Sequence, residues 1–166
     1  MMSNKKILGA TKTDSGAISF KSKLEKSVYD TLQKLGFNPQ YEPYTFMLWD
    51  SFVPKTLFYD QETPNQRDRR VNNGGSRSKI LVPKTSKVIG IRYTPDFYFK
   101  YKDLDVFIEA KGFENDVFYI KKKLFRKFLD DRLDAIGQKS IYFEIYTKKQ
   151  LLQAIEIIKS YGKEES

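Results

Sequence analysis

Asp96, Glu109 and Lys111 are the residues of this 166-residue chain best suited by type and spacing to do chemistry. They fall in two short stretches, Tyr93-Thr94-Pro95-Asp96-Phe97 and Ile108-Glu109-Ala110-Lys111-Gly112, separated by a charged turn. Two carboxylates and an ammonium on one sheet face can hold a divalent cation and activate a water. As a bare pattern the spacing is weak, because charged sequences produce such triplets by chance. It gains weight only if the backbone brings the three side chains together.

A β-hairpin does this. Side chains alternate along a strand, so Glu109 and Lys111 share one face while Ile108 and Ala110 share the other. A two-residue turn at Lys102-Asp103 sets Phe97 opposite Ile108, Phe99 opposite Val106 and Lys100 opposite Asp105. The same register carries Asp96 opposite Glu109, with β-carbons about 4.5–5.5 Å apart. Facing carboxylates destabilise a sheet unless a cation or a shared proton lies between them. A four-residue loop would slide Asp96 opposite Lys111, and a three-residue loop would turn it away unless a bulge restored it. Lys111 beside such a centre can orient or deprotonate a water and offset charge developing on a phosphate.

Composition narrows the chemistry further. The chain has no Cys and no His, which excludes disulfides, thiolate zinc sites, Ser-His-Asp triads and histidine-dependent nuclease mechanisms. A metal here must be held by oxygen, which points to Mg²⁺, with Mn²⁺ as a substitute. The net charge of +9 favours a polyanionic partner, nucleic acid before membrane. With 40% apolar residues the chain can bury a core. No apolar run approaches the roughly 20 residues of a membrane span, and no apolar signal region follows Met1 to Lys6. A cytoplasmic protein is expected.

The elements that must position the hairpin are legible in outline. Helix periodicity starts near Ser19 to Ser22, places Leu24, Val28, Leu32 and Leu35 on one stripe, and stops at Gly36. Tyr41 to Phe52 alternates and reads as a strand. Asn115 or Asp116 caps a helix running to about Ala135 and closed by Gly137, with Val117, Ile120, Leu124 and Phe128 as its inner stripe. Ser140 to Tyr146 is a strand, and Thr147-Lys148-Lys149-Gln150 is a capping box opening a last helix with Leu151, Ile155 and Ile158 inward. The order helix, strand, strand, strand, helix, strand, helix is an α/β domain, a central mixed β-sheet flanked by helices, over residues 19–162. A flexible segment, 1–18, precedes it and a tail, 163–166, follows.

Two basic stretches stand out. From Val53 to Ile91, Pro54, Pro64, Asn72-Asn73-Gly74-Gly75 and Pro83 break any long element, leaving only a short strand at Lys79 to Val82. Between Arg67 and Arg92, the basic residues Arg67, Arg69, Arg70, Arg77, Lys79, Lys84, Lys87 and Arg92 face a single acid, Asp68. This reads as a basic loop insertion at about 53–91, a phosphate-contacting arm, with a merely solvated insertion as the plainer alternative. The second stretch is the triple lysine Lys121, Lys122 and Lys123, of which Lys121 lies nearest the apolar stripe.

Pro95-Asp96 and Glu109-Ala110-Lys111 together resemble the PD-(D/E)xK nuclease superfamily, over roughly Ser19 to Ile158. The resemblance implies a restriction-endonuclease-like core and Mg²⁺-dependent hydrolysis of DNA phosphodiesters. It further implies Asp96, Glu109 and Ala110 as the metal-holding residues, Lys111 as the catalytic lysine, and Glu25 as a further acid from the first helix. Ser22-x-x-Glu25 is equally a capping box, so a structural role for Glu25 stays open. The Tyr-Thr-Pro-Asp-Phe wording and the Lys-rich helix near Tyr119 are similar to small phage-encoded nucleases and Holliday-junction resolvases. That similarity implies branched or junction DNA as substrate, a homodimer, and a bacterial or phage-infected host. The same string resembles the endonuclease subunit of Tn7-like transposases. A nicking or packaging nuclease, and a DNA-binding module without turnover, are the competing expectations.

Overall fold

A computed structural model describes residues 18–161. The expected flexible lead and tail fall, Ile18 excepted, outside the described residues. In chain order the elements are α1 (Lys23–Lys34), β1 (Gln40–Tyr41), β2 (Phe46–Trp49), β3 (Tyr59–Gln61), α2 (Pro64–Asn72) and β4 (Leu81–Pro83). They continue with β5 (Ile91–Tyr93), β6 (Phe97–Tyr101), β7 (Leu104–Ala110), α3 (Asp116–Ile136), β8 (Ser140–Ile145) and α4 (Lys148–Ser160). They divide into two compact units, Asp50–Gly90 forming one and the described residues on either side of it the other.

The larger unit is an α/β fold around a four-stranded sheet in the order β1-β6-β7-β8. β6 and β7 pair antiparallel with Phe97↔Ile108, Phe99↔Val106, Lys100↔Asp105 and Tyr101↔Leu104, the ladder expected of a two-residue turn. Lys102 takes a positive φ of 55° to close it. β8 runs parallel to β7, from Asp105↔Ser140 to Ala110↔Ile145, so α3 is the crossover that a parallel pair requires. Sheet alternation then builds two cores. Val28 and Leu32 of α1 and Leu151, Ala154, Ile155 and Ile158 of α4 cover the face carrying Phe97, Phe99, Val106 and Ile108. The opposite face meets α3 and the β2–β5 ribbon, where Phe125 is fully buried among Phe46, Phe107 and Phe128.

Local signals start and stop these helices. Ser22 caps α1 by accepting the Glu25 N–H. Thr147 and Gln150 form the reciprocal cap of α4. Asn115 caps α3, and Gly137 ends it in the left-handed region at φ 67°, where a β-carbon would be strained.

Two expectations need correction. Tyr41 to Phe52 is not one strand: β1 ends at Tyr41, and Glu42 takes a positive φ of 44° while its N–H donates to the Asp96 carbonyl. Pro43 follows and cannot donate to a ladder, so the chain leaves the main sheet and β2 pairs with β5 instead. The inner stripe of α3 is also displaced by about one residue. Phe118, Phe125, Phe128 and Leu129 are buried, whereas Val117 and Ile120 are 61% and 54% exposed. The aromatic stripe through Phe118, Phe125 and Phe128 packs against Phe46, Tyr93 and Phe107, and Lys122 lies on the same side of the helix. Parallel register sets Glu109 beside Glu144 on adjacent strands, a like-charge pair that needs a cation. Lys122 supplies one, donating to Glu144 (3.1 Å) and Glu114 (2.6 Å).

The stretch expected as a loop insertion at about 53–91, with a short strand at Lys79 to Val82, contains more regular structure than that. β3 and β4 pair antiparallel, Phe52 and Val88 bridge below them, and α2 is capped reciprocally by Thr63 and Gln66 with Pro64 as its first residue. The organising contact is ionic. Glu62 is buried, accepts from Arg70 and from the Ile80 N–H (3.3 Å), and its carboxyl is held below the usual carboxylate range by the Arg70 guanidinium. Arg70 also donates to the carbonyls of Ser76 (2.6 Å) and Ser78 (2.7 Å). Among the described residues, no helix is long and apolar enough to cross a membrane.

Candidate active site

The hairpin places its polar residues at one end of the sheet, where β6 begins and β7 ends. Asp96 and Glu109 are both buried, at 8% and 3% exposure, as is Glu25 at 6%. All three line one cleft of about 540 Å³ with Ala110, Lys111, Lys21, Arg92 and Lys121. Of the residues expected to act in catalysis, Glu25, Asp96, Glu109 and Lys111 are therefore gathered in one place.

Each carboxylate is held differently. Asp96 precedes the first residue of β6, and its Oδ2 accepts the N–H of Ala110 at 2.8 Å, which locks it across the hairpin from the end of β7. Burial, and then the nearby Glu109 carboxylate, push the Asp96 carboxyl up to about 7, against the pull of the Ala110 N–H and Lys111. Glu109 projects from β7 into the α3 face. Its Oε2 accepts from the Tyr93 hydroxyl and its Oε1 from Lys111 Nζ, both at 2.6 Å. The Tyr93 hydroxyl also meets that of Tyr142 at 2.9 Å. Lys111 lies just past β7, its N–H donating to the Ile145 carbonyl and its Nζ standing 4.1 Å from the centre of the Phe118 ring.

Glu25 is partly a structural residue. Its Oε2 accepts from the Lys21 N–H (3.0 Å) and the Tyr41 hydroxyl (2.6 Å), so it ties the start of α1 to β1. The Ser22 half of the expected capping box forms, but the carboxylate reaches the N–H of Lys21 rather than that of Ser22. It nevertheless lines the cleft, and its charge adds to the upward push on Asp96.

No family model, no curated protein and no solved structure matches the chain. What the site can do is therefore argued from its own geometry.

Its donor set suits a small, hard cation. Asp96 and Glu109 offer anionic oxygens, and Ala110 lines the same cleft, where its backbone carbonyl is the one ligand an alanine can supply. Among the described residues no third carboxylate joins these two closely enough to make an all-protein cage. Mg²⁺ and Mn²⁺ are served by one or two carboxylates, with water and substrate phosphate completing the shell. The residues fit.

The basic residues divide. Arg92 and Lys121 line the cleft and could meet phosphate there. Lys123 is exposed with its Nζ 4.2 Å from the Tyr119 ring centre. Lys122 is a correction: the two glutamates Glu114 and Glu144 hold it, and its side chain is only 19% exposed. Arg70 is a second, since Glu62 and two carbonyls occupy its guanidinium. Arg67 donates to the Arg77 carbonyl (2.9 Å), and Arg67, Arg69, Arg77 and Lys79 all belong to the 50–90 unit.

Tyr93, Tyr142 and Lys21 were not anticipated as site residues. Tyr93 stands three residues before Asp96 and reads from sequence as a core aromatic. A hint for Tyr142 existed: in parallel register with Phe107 it falls on the same sheet face as Glu109.

Proposed function

We propose that this protein is a divalent-metal-dependent DNA endonuclease, with Asp96, Glu109 and Lys111 as its hydrolytic centre. One observation carries the reading. A buried Asp, whose carboxyl burial and then the neighbouring Glu raise to about 7, shares a cleft with that buried Glu and with a lysine whose Nζ already touches the Glu. The Lys111–Glu109 ion pair offsets only part of the charge, and the Asp carboxyl stays raised beside an opening, as at a site that receives a cation.

Asp96, Glu109 and the Ala110 carbonyl would hold Mg²⁺ or Mn²⁺. When bound, the ion polarises the scissile phosphate and makes hydroxide accessible near neutral pH. The chain's own residues do the rest. Asp96, anchored by the Ala110 N–H, presents its second oxygen to the cleft from a fixed position. Lys111 Nζ carries three N–H donors and Glu109 engages one, leaving others for a nucleophilic water or the negative oxygens of the phosphate. Arg92 and Lys121 hold flanking phosphates. Glu25 adds negative potential and orders water at the same wall. The PD-(D/E)xK resemblance implies the same roles for Asp96, Glu109, Ala110 and Lys111.

Branched or junction DNA is the proposed substrate and a homodimer the proposed working form, because paired cuts across a junction need two symmetry-related sites. A bacterial or phage-infected cytoplasm is the proposed setting. Incubation with labelled junction, duplex and single-stranded DNA, in Mg²⁺ or in EDTA, tests the reading. Junction cleavage that needs Mg²⁺ is expected; cleavage that persists in EDTA, or in Lys111→Ala, would rule the mechanism out.

A further inference from the structure

Tyr93 and Tyr142 form a directed hydrogen-bond chain that ends on Glu109. A phenol has a single proton, and that of Tyr93 goes to Glu109 Oε2. The 2.9 Å contact between the two hydroxyls must then be donated by Tyr142. The chain reads Tyr142 O–H to Tyr93 O, and Tyr93 O–H to Glu109 Oε2. The rings are fixed as well. Tyr93 lies 4.9 Å and Tyr142 5.3 Å from Phe125, ring centre to ring centre, and Tyr93 is 5% exposed.

The consequence falls on the two oxygens of Glu109. Oε2 is held toward the core by Tyr93, while Oε1 is the oxygen that meets Lys111. We propose that Tyr93, seconded by Tyr142, is a positioning residue that commits Glu109 to one-oxygen binding and so makes the site selective for small divalent cations over Ca²⁺. The proposal rests on the metal-site reading given above. Its physical basis is ligand demand: Mg²⁺ and Mn²⁺ fill an octahedral shell from single carboxylate oxygens and water. Ca²⁺ takes six to eight oxygens and often engages both oxygens of a carboxylate. A glutamate pinned through one oxygen serves the first need and obstructs the second. Outer partners of metal-binding carboxylates also tune affinity, about 10–100-fold when removed.

The test measures ion binding directly, without DNA, by calorimetry with Mn²⁺, Mg²⁺ and Ca²⁺ on the full chain. Wild type is expected to bind Mn²⁺ and Mg²⁺ more tightly than Ca²⁺, and Asp96→Asn to lose that binding. Tyr93→Phe releases Oε2 while keeping the ring; Mn²⁺ affinity should fall about 10–100-fold. Ca²⁺ affinity should fall less, so that the Mn²⁺-to-Ca²⁺ preference drops at least about fivefold. Tyr142→Phe leaves the Tyr93 bond in place and should move the same ratio in the same direction by a smaller factor. A general loss of packing would weaken both ions alike and leave the ratio untouched. An unchanged ratio in a folded Tyr93→Phe overturns the proposal, and if that variant does not fold, an unchanged ratio in Tyr142→Phe does so. Wild type binding no divalent cation at all overturns the metal-site reading itself, a different and separable failure.

Discussion

Replacing Asp96 by Asn should stabilise the metal-free protein, and should do so only above mildly acidic pH. Asp96 is buried beside Glu109, and its carboxyl sits at about 7 in the fold against an ordinary 3.8. That interval, at about 1.4 kcal/mol per decade of proton affinity, corresponds to roughly 4 kcal/mol of folding free energy. The cleft admits water, so about 2–4 kcal/mol is the range to expect. The sign follows from proton binding. Between about pH 4 and 7 the native state holds a proton on Asp96 that the unfolded chain has released. Wild-type stability therefore carries no penalty below pH 4, loses ground as pH rises, and bears the full penalty above 7. Asn has no charge to bury, and its side-chain oxygen can still accept the Ala110 N–H now bound by Oδ2. At pH 8 in EDTA the variant should melt about 5–15 °C above wild type. The gap should close as the pH approaches 4.5, and it should narrow at pH 8 when Mn²⁺ saturates wild type. Thermal unfolding of both proteins across that pH range measures it. A variant no more stable than wild type at pH 8, or a gap indifferent to pH, would refute the idea that Asp96 is electrostatically stressed.

Lys111→Ala should lower junction cleavage by about 10²–10⁴-fold while leaving DNA affinity in EDTA within a few fold, a contrast read from single-turnover kinetics beside anisotropy binding. Lys121→Ala should weaken DNA binding and reduce the slope of log K against log salt by about one, whereas Lys122→Ala should leave that slope alone and lower the melting temperature. Glu62→Gln should expose the 50–90 unit to proteolysis, because Arg70 loses its charged partner there, while amide protection in β6 and β7 stays at wild-type levels. Phe125→Ala, at a fully buried ring, should destabilise the larger unit by about 3–5 kcal/mol in a denaturant titration.

The hairpin was legible because two independent signals agree there. Alternating apolar residues fix which side chains share a face, and the two-residue turn, one of the loop lengths left open by the sequence, sets Phe97 opposite Ile108 in the ladder that forms. α4 was legible for a similar reason, its capping box and its stripe of Leu151, Ile155 and Ile158 being local. α3 was harder. It carries two neighbouring apolar stripes, one through Val117 and Ile120 and one through Phe118 and Phe125, and periodicity cannot rank them. The 50–90 unit was opaque because α2 buries no residue and its anchor is an ion pair between Glu62 and Arg70, eight positions apart. Its one local sign, Thr63-Pro64-Asn65-Gln66, is a helix start that the surrounding Pro and Gly obscured.

What the sequence determined by itself was whatever depends on neighbours along the chain: most helix starts and stops, the pairing of two strands about the turn at Lys102-Asp103, and the placing of Glu109 and Lys111 on one strand face. The absence of Cys and His likewise restricts any metal ligand to oxygen. Tertiary structure decided whatever depends on partners far along the chain. It set Glu144 beside Glu109, which drew Lys122 inward and out of the pool of available cations. It brought Tyr142 to Tyr93 and Tyr93 to Glu109, and thereby chose which carboxylate oxygen faces the cleft. Burial did the rest, raising the Asp96 carboxyl to about 7. Charge and desolvation act through space, and a list of residues holds them only once it is folded.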